Sequence, residues 1–347
     1  MKNRFFALAA LCLLTLNAFG AAFAADTKAS ARQNGQLTAL LPASDAVVSF
    51  NAKRFLGDAL PQILSGNQTM LAQIVAHVDE VKSKTGIDLR QFEQVAVGVT
   101  AKQTAPKKFD FEPVIVARGQ FNAATLLAAA KIAANGKYRE EKVGDKTVYV
   151  FTARDIAAKV PPANNAGKAT FSEKALKMFS QELAVSNVDA NTLAFGTVAR
   201  VRQTLEGKSR VNPEIANLLV PRQNSMMNFA AKLPGGMSQF LPLDNDELGK
   251  NIDAIEYFYG SMDVAGANAA LNLNARTAQA ADAQGLLETL EGLQMIGKVY
   301  LGSSKSADKQ VYARMVQNVK FARTANEVSI DLQVPQTDIN VLIGEKR

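Results

Sequence analysis

The chain has almost no cysteine or histidine. Of its 347 residues one is cysteine, Cys12, and one is histidine, His77. Cys12 lies in the apolar N-terminal segment, so residues 25–347 contain no cysteine at all. That composition excludes disulfide bonds, thiolate nucleophiles and cysteine-ligated metals from this part of the chain. It also suits an oxidising compartment, where an unpaired thiol is a liability.

Patterns typical of catalysis are missing as well. His77 has no second histidine to share a tight metal site, and its spacing from Ile74 and Val81 is typical of the border of an apolar helix face. The sequence has no G-x-S-x-G elbow and no glycine-rich phosphate loop. We therefore predict no catalytic residues, no metal site and no cofactor, and we lean towards a protein that is not an enzyme.

Three short fragments match motifs of the serine penicillin-binding and β-lactamase families. Lys84-Thr85-Gly86 matches K-T-G, and residues 306–309 match S-x-x-K. Ser186-Asn187 matches S-x-N only in part, because the asparagine stands one position too early. In those families S-x-x-K comes first and opens a buried helix, whereas K-T-G comes last and lies on a strand. Their order is reversed here, and K-T-G closes a predicted helix. A hydrolase is accordingly the most distant alternative.

The densest acidic cluster is the run DNDE at residues 244–247. Several oxygen ligands in one loop are what calcium requires. An EF-hand-like loop, however, would need an oxygen ligand at the position of Leu248. Acidic residues are favoured in the first turn of a helix. We therefore interpret the cluster as a helix start.

The first 24 residues have the pattern of a signal peptide. Lys2 and Arg4 precede an apolar stretch over residues 5–16, and Ala22-Phe23-Ala24 places small residues at the two positions that a signal peptidase reads. An uncleaved membrane anchor is the alternative, but polar and small residues interrupt the apolar run. We predict a signal peptide over residues 1–24, a mobile tail over residues 25–36, and export through the Sec pathway to the periplasm or the outside of the cell.

The charge of the remaining chain is modest and dispersed. Loss of Lys2 and Arg4 lowers the net charge from +7 to +5. No basic stripe with interleaved aromatic residues is present, so we expect no nucleic acid partner. No apolar run after residue 24 is long enough to span a bilayer, so we expect no transmembrane span after cleavage. The basic balance favours at most a weak attraction to anionic envelope surfaces.

The clearest local pattern is a helix that leads into a strand over residues 70–100. Apolar residues recur at three-to-four spacing in the first part, Gly86 is placed to end the helix, and Val95, Val97 and Val99 then alternate with small or polar residues. Further strands, helices and hairpins follow, including a helix capped by Asn122 and hairpins that turn at Gly144-Asp145 and Ala325-Asn326. A long helix over residues 278–300 is predicted to place Leu286, Leu287, Leu290, Leu293 and Ile296 on one face.

The order strand, helix, strand, strand, helix, hairpin occurs twice. We assign the first occurrence to residues 37–221 and the second to residues 222–347, and we match the hairpin at residues 138–151 to the hairpin at residues 320–334. Little residue identity links the halves, so an internal duplication is a hypothesis from order alone. Runs of antiparallel strands with interspersed helices predict an α+β fold, with antiparallel sheets and helices packed on one face.

Tyr257 and Tyr259 are the candidate ligand residues. They share one face of a predicted strand, with Phe258 on the other. Aromatic residues on strands usually belong to the core, but this pair is also suited to line a groove for an apolar ligand between sheet and helices.

Three segments together resemble a group of secreted bacterial proteins of unknown function: VVSFNAKRFL (47–56), KTGIDLRQFEQVAVGV (84–99) and NTLAFGTVARVRQTLEG (191–207). The resemblance covers residues 40–207. It implies export and an α+β fold, and it carries no catalytic residue.

Two functions follow as hypotheses. The first is a non-enzymatic exported envelope protein that binds a partner protein or surface. The second is a carrier or sensor of an apolar small molecule, held near Tyr257 and Tyr259. The oligomeric state and the identity of partner or ligand do not follow from the sequence.

Overall fold

The computed structural model describes residues 37–105, 108–152, 182–222, 225–236, 238, 246–266, 268–303 and 306–343. The predicted signal peptide and tail lie outside these ranges, as do a loop that the sequence predicts over residues 160–169 and a helix that it predicts over residues 172–181. Twelve strands are described: β1 Ala46–Asn51, β2 Phe92–Ala105, β3 Lys108–Gly119, β4 Tyr138–Val143, β5 Lys146–Thr152, β6 Glu182–Asp189, β7 Thr192–Gly196, β8 Met227–Lys232, β9 Ile255–Ala265, β10 Asn268–Thr277, β11 Lys320–Thr324 and β12 Glu327–Pro335.

The helices alternate with these strands along the chain. They are α1 (residues 52–63, with a π-helical turn), α2 Gln68–Thr85, α3 Ala123–Ala133, α4 Val198–Glu206, α5 Pro213–Leu219, α6 Asp246–Asp253, α7 Ala280–Gly302, α8 Ala307–Asn318 and α9 Gln336–Ile343. Within the described residues, no helix is both long enough and apolar enough to cross a membrane.

Local sequence signals set many of these boundaries. The Asn67 side chain accepts a hydrogen bond from the Met70 amide at 2.9 Å and caps α2, which ends at Gly86 in the left-handed conformation (φ 73°). The Asn122 side chain accepts from the Thr125 amide at 3.1 Å and caps α3. These side chains satisfy amides that the first helical turn leaves without partners. The predicted end of the first helix at Gly86 and the predicted cap of the second at Asn122 are confirmed.

All twelve strands form one antiparallel sheet. Its order is β11-β12-β10-β9-β8-β1-β2-β3-β7-β6-β5-β4. β1 and β8 lie at the junction of the two predicted halves and pair along residues 46–50 and 227–231. The α+β class with antiparallel strands is therefore confirmed, and a single sheet runs across the boundary at residues 221 and 222.

The two faces of the sheet are covered by different helices. Face A, which carries Tyr257 and Val47, packs against residues 37–41, α4 and α5. Face B, which carries Phe258 and Phe50, packs against α1, α2, α3, α7 and α9 in three apolar clusters. The expectation of helices on one face thus needs correction, since the central strands carry apolar side chains on both faces and both need cover.

The strand order around β1 and β8 is similar on the two sides. β1, β2 and β3 are followed outward by β7 and β6, and β8, β9 and β10 are followed outward by β12 and β11. The hairpin β6–β7 therefore occupies the position equivalent to β11–β12, and the predicted match with the hairpin at residues 138–151 is wrong. That hairpin, β4–β5, is an addition at the outer edge of the first half. A duplication remains a prediction.

Candidate functional site

The structure places Tyr257 and Tyr259 side by side on face A of β9, as predicted from the alternation. Tyr257 is buried in the same cluster as Ile215 and Leu218 of α5, and its hydroxyl donates a hydrogen bond to the Glu214 carboxylate. Tyr259 is half-buried, and its hydroxyl donates to the Glu327 carboxylate on β12. Helix α5 therefore packs directly on the face where a ligand groove was predicted.

Both phenol hydroxyls are held in the neutral form. The hydrogen bond to Glu214, together with burial, raises the pKa of Tyr257 to about 12. Burial, followed by the hydrogen bond to Glu327, raises the pKa of Tyr259 to about 12. Ionisation would place a second negative charge beside each carboxylate and would remove the donated hydrogen bond.

Polar contacts continue from Tyr259 across the second half of face A. The Arg276 guanidinium lies 3.2 Å from Glu327. The Asn274 side chain donates to the Asn272 side chain at 2.7 Å, and Asn272 in turn donates to Asp331. These groups are bonded to one another and form a polar network on this part of the sheet surface.

His77 lies on α2 as a half-buried residue, with its Nδ1 3.5 Å from a Glu80 carboxylate oxygen. Among the described residues, no three histidine, cysteine, aspartate or glutamate side chains form a group that could hold a metal ion. Asp244 and Asn245 of the acidic cluster lie outside the described ranges, and α6 begins at Asp246.

The fragments that match serine hydrolase motifs are not brought together. Ser186 is buried on β6 near one end of the sheet, where its hydroxyl donates to the Thr147 carbonyl at 2.8 Å. Ser306 precedes α8, which packs on β12 near the opposite end, and its hydroxyl donates to Asp308. The third fragment ends α2 at Gly86.

The feature that sequence reasoning missed is an apolar stripe on the outside of α7. Five large side chains in its second half are exposed: Leu293 by 46%, Met295 by 68%, Ile296 by 66%, Val299 by 75% and Tyr300 by 73%. We call these five residues the outer stripe. Isolated exposed apolar residues are ordinary, whereas a contiguous group of this kind usually marks an interaction site.

The first half of α7 is held by the sheet. Ala283 and Leu286 are buried against Ala275 of β10 and Val328 of β12, and Leu287 and Leu290 pack at the edge of the same cluster. The predicted apolar face is therefore confirmed up to residue 290. Leu293 and Ile296, which were predicted to continue that face, belong to the outer stripe instead.

The second half of α7 is held by α8 on its inner side. The Gln294 side chain donates to the carbonyls of Val316 at 2.7 Å and Val319 at 2.9 Å. A Cβ atom at Gly297 would lie 3.2 Å from Val316 Cγ1, so the two helices approach closely there. At about 100° per residue, Ile296 and Val299 lie roughly opposite this contact, while Leu293 lies nearest to it and is the least exposed.

The charge along this helical hairpin changes sign. Glu288 and Glu291 precede the outer stripe on α7, and Lys309 lies in the exposed first turn of α8. At about 100° per residue, Lys298 lies on the flank of the stripe beside Met295. Asp308 is the one acidic residue among the described positions between 292 and 318, and Arg314 is paired with Asp338 of α9 at 2.5 Å. Among the described residues, the end of the hairpin that carries the outer stripe therefore has two exposed lysines against one aspartate.

Comparison with known proteins gives no family assignment. No protein family and no curated protein matches the chain. Among solved structures, crystal form IV of TP0453 is similar with a TM-score of 0.43 and 10% identity, over 89% of this chain and 96% of that one. Crystal form I of TP0453 gives a TM-score of 0.40 and 12% identity, over 88% of this chain and 95% of that one.

Proposed function

We propose that the chain is a non-enzymatic exported protein of the cell envelope, which binds a partner protein or surface through the outer stripe of α7. The observation that carries the proposal is the exposure of five large apolar side chains within residues 293–300. Moving such side chains out of water contributes about 1–2 kcal/mol each at this degree of exposure. That free energy is unused in the isolated chain and is available to a binding partner.

The stripe is not needed to complete the core. The cluster under α7 is closed by residues up to Leu290, and the contacts of Gln294 and Gly297 with α8 use the inner side of the helix. Exposed apolar side chains that serve no packing role carry a cost in solubility. Their grouping on one side of one helix supports a role in binding.

Export is supported by the N-terminal pattern of residues 1–24 and by the absence of cysteine after it. A non-enzymatic role is proposed because the sequence has no complete catalytic motif. The polar groups nearest to the predicted groove, Tyr259, Arg276 and Glu327, are bonded to one another.

The test uses the full chain with a C-terminal tag in a bacterial host. The mass of the processed protein should correspond to a chain that begins at Ala25. The fraction that remains with washed envelopes should then be compared for the wild type, the double variant Ile296→Ser/Val299→Ser, and the matched control Ile132→Ser. Ile132 is suited as the control because it is 76% exposed at the end of α3.

We expect the control to remain with the envelope as the wild type does, and the double variant to be released. Equal retention of the wild type and the double variant would show that binding does not use the outer stripe. An unprocessed chain in the cytoplasmic fraction would overturn the proposal of export.

A further inference from the structure

We infer that the outer stripe of α7 docks on the surface of an anionic lipid bilayer, an inference that rests on the proposed function and names its partner. The stripe lies on the outside of a helix, so it forms a convex ridge. A convex apolar ridge with charged residues beside it can enter the boundary between lipid head groups and acyl chains without a preformed groove in the partner. These features favour a partner with a negatively charged surface and a deformable apolar interior.

The aromatic and basic residues are placed for such a boundary. Tyr300, at the end of the stripe, combines an apolar ring with a hydroxyl, and tyrosine is enriched at the level of lipid head groups. Lys298 lies between the stripe residues Ile296 and Val299 in the chain, and its long side chain can reach a phosphate while its methylene groups stay in apolar surroundings. Lys309 adds a second cation at the start of α8.

The partner's charge follows from the two exposed lysines near the stripe. Anionic lipids strengthen binding by about fivefold for each nearby lysine, so Lys298 and Lys309 favour an anionic surface over a neutral one. Association of two copies of the chain through the stripe is the competing outcome of the test.

Docking would leave the fold intact. Gln294 and Gly297 keep α7 against α8 from the inner side, and Arg314 ties α8 to Asp338 of α9 through a contact of 2.5 Å. The hairpin can therefore present the stripe as a fixed surface, without unfolding to reach a bilayer.

The experiment is flotation of the purified chain of residues 25–347 with vesicles of phosphatidylcholine alone and of phosphatidylcholine with phosphatidylglycerol. We expect binding to the anionic vesicles, at least tenfold weaker binding to neutral ones, and a decrease with added salt. Ile296→Ser/Val299→Ser should lower binding to anionic vesicles at least tenfold, and Lys298→Gln/Lys309→Gln about 25-fold. Ile132→Ser should bind as the wild type does.

Far-UV circular dichroism confirms that each variant is folded before it is scored. Absence of wild-type binding to anionic vesicles, or binding that the stripe variant retains, overturns the lipid inference. If the wild type binds no vesicles but Ile296→Ser/Val299→Ser is still released from cell envelopes, the proposed function stands and its partner is a protein. A dimer that is lost in the stripe variant, seen by light scattering with chromatography, would instead assign the stripe to a second copy of the chain.

Discussion

Helices α3 and α7 occupy the same position in the two halves of the sheet but differ in length. Each follows the third strand of its half, and each presents the pattern Ala-x-x-Leu-Leu to face B, at Ala123, Leu126 and Leu127 in α3 and at Ala283, Leu286 and Leu287 in α7. Helix α3 has 11 residues, whereas α7 has 23. The shorter helix shows that covering the sheet takes about three turns.

The additional turns of α7 carry the outer stripe. In α3 one large apolar residue, Ile132, is strongly exposed at the helix end, whereas in α7 the stretch beyond Leu290 exposes five. The extension is kept in place by α8, through the contacts of Gln294 and Gly297. The comparison separates the residues of α7 that pack on the sheet from the residues that, in the proposed function, contact a partner.

The largest change in stability is expected from substitutions of buried residues on the sheet-facing sides of α3 and α7. Leu126→Ala and Leu286→Ala should each lower the free energy of unfolding by about 2–5 kcal/mol, since both remove a buried side chain and leave a cavity. Urea unfolding of the chain of residues 25–347 measures both. A loss below about 1 kcal/mol for Leu286→Ala alone would break the equivalence of the two helices.

How much of this arrangement could be predicted depended on distance along the chain. Caps and turns, such as Asn122, Gly86 and the Ala325-Asn326 turn, are encoded within a few residues, and their predictions are confirmed. Pairing of β1 with β8 joins residues about 180 positions apart. No local pattern reveals such a pairing, so the single sheet and its cover on both faces were not predicted.

The candidate site shows the same limit. The shared face of Tyr257 and Tyr259 followed from alternation, but their partners Glu214 and Glu327 lie 43 and 68 residues away. In α7, periodicity identified an apolar face but not where its cover ends, because Leu293 and Ile296 fit the same repeat as Leu286. An unusually long helix with apolar residues on nearly all sides of its second half was the available signal for the outer stripe.

The hydroxyls of Tyr257 and Tyr259 on face A should make the stability of the chain depend on pH. The pKa values of Tyr257 and Tyr259 are raised from 10.0 to about 12 in the folded chain. The folded state therefore holds these protons more tightly than the unfolded state, so their contribution to stability is complete below pH 10 and is lost as the pH rises from 10 to 12.

Urea unfolding at a series of pH values from 8 to 12 checks this prediction. Over that window, the wild type should lose stability more steeply than Tyr257→Phe/Tyr259→Phe, after both are shown to be folded at pH 8. Parallel curves would mean that the two carboxylate contacts do not form in solution.

Smaller changes in stability, opposite in sign to each other, are expected from substitutions in two hairpin turns. Gly144 of the β4–β5 turn and Ala325 of the β11–β12 turn both adopt positive φ, at 59° and 52°. Gly144→Ala should lower the free energy of unfolding by about 1 kcal/mol, because a residue with a Cβ atom is strained at positive φ. Ala325→Gly should raise the free energy of unfolding by up to about 1 kcal/mol, because it removes that strain. The same urea titrations measure both, and changes of equal sign would contradict the backbone argument.

The smallest change in stability is expected where the proposed function is concentrated. Ile296→Ser/Val299→Ser should alter the free energy of unfolding by no more than about 0.5 kcal/mol, as Ile132→Ser should, because these side chains are exposed in both folded and unfolded chains. A loss above about 2 kcal/mol would mean that the stripe is already covered in the free protein. In that event, the wild-type stability must rise with protein concentration, as it does for a dimer. If stability neither falls nor depends on concentration, the difference between α3 and α7 lies in binding alone.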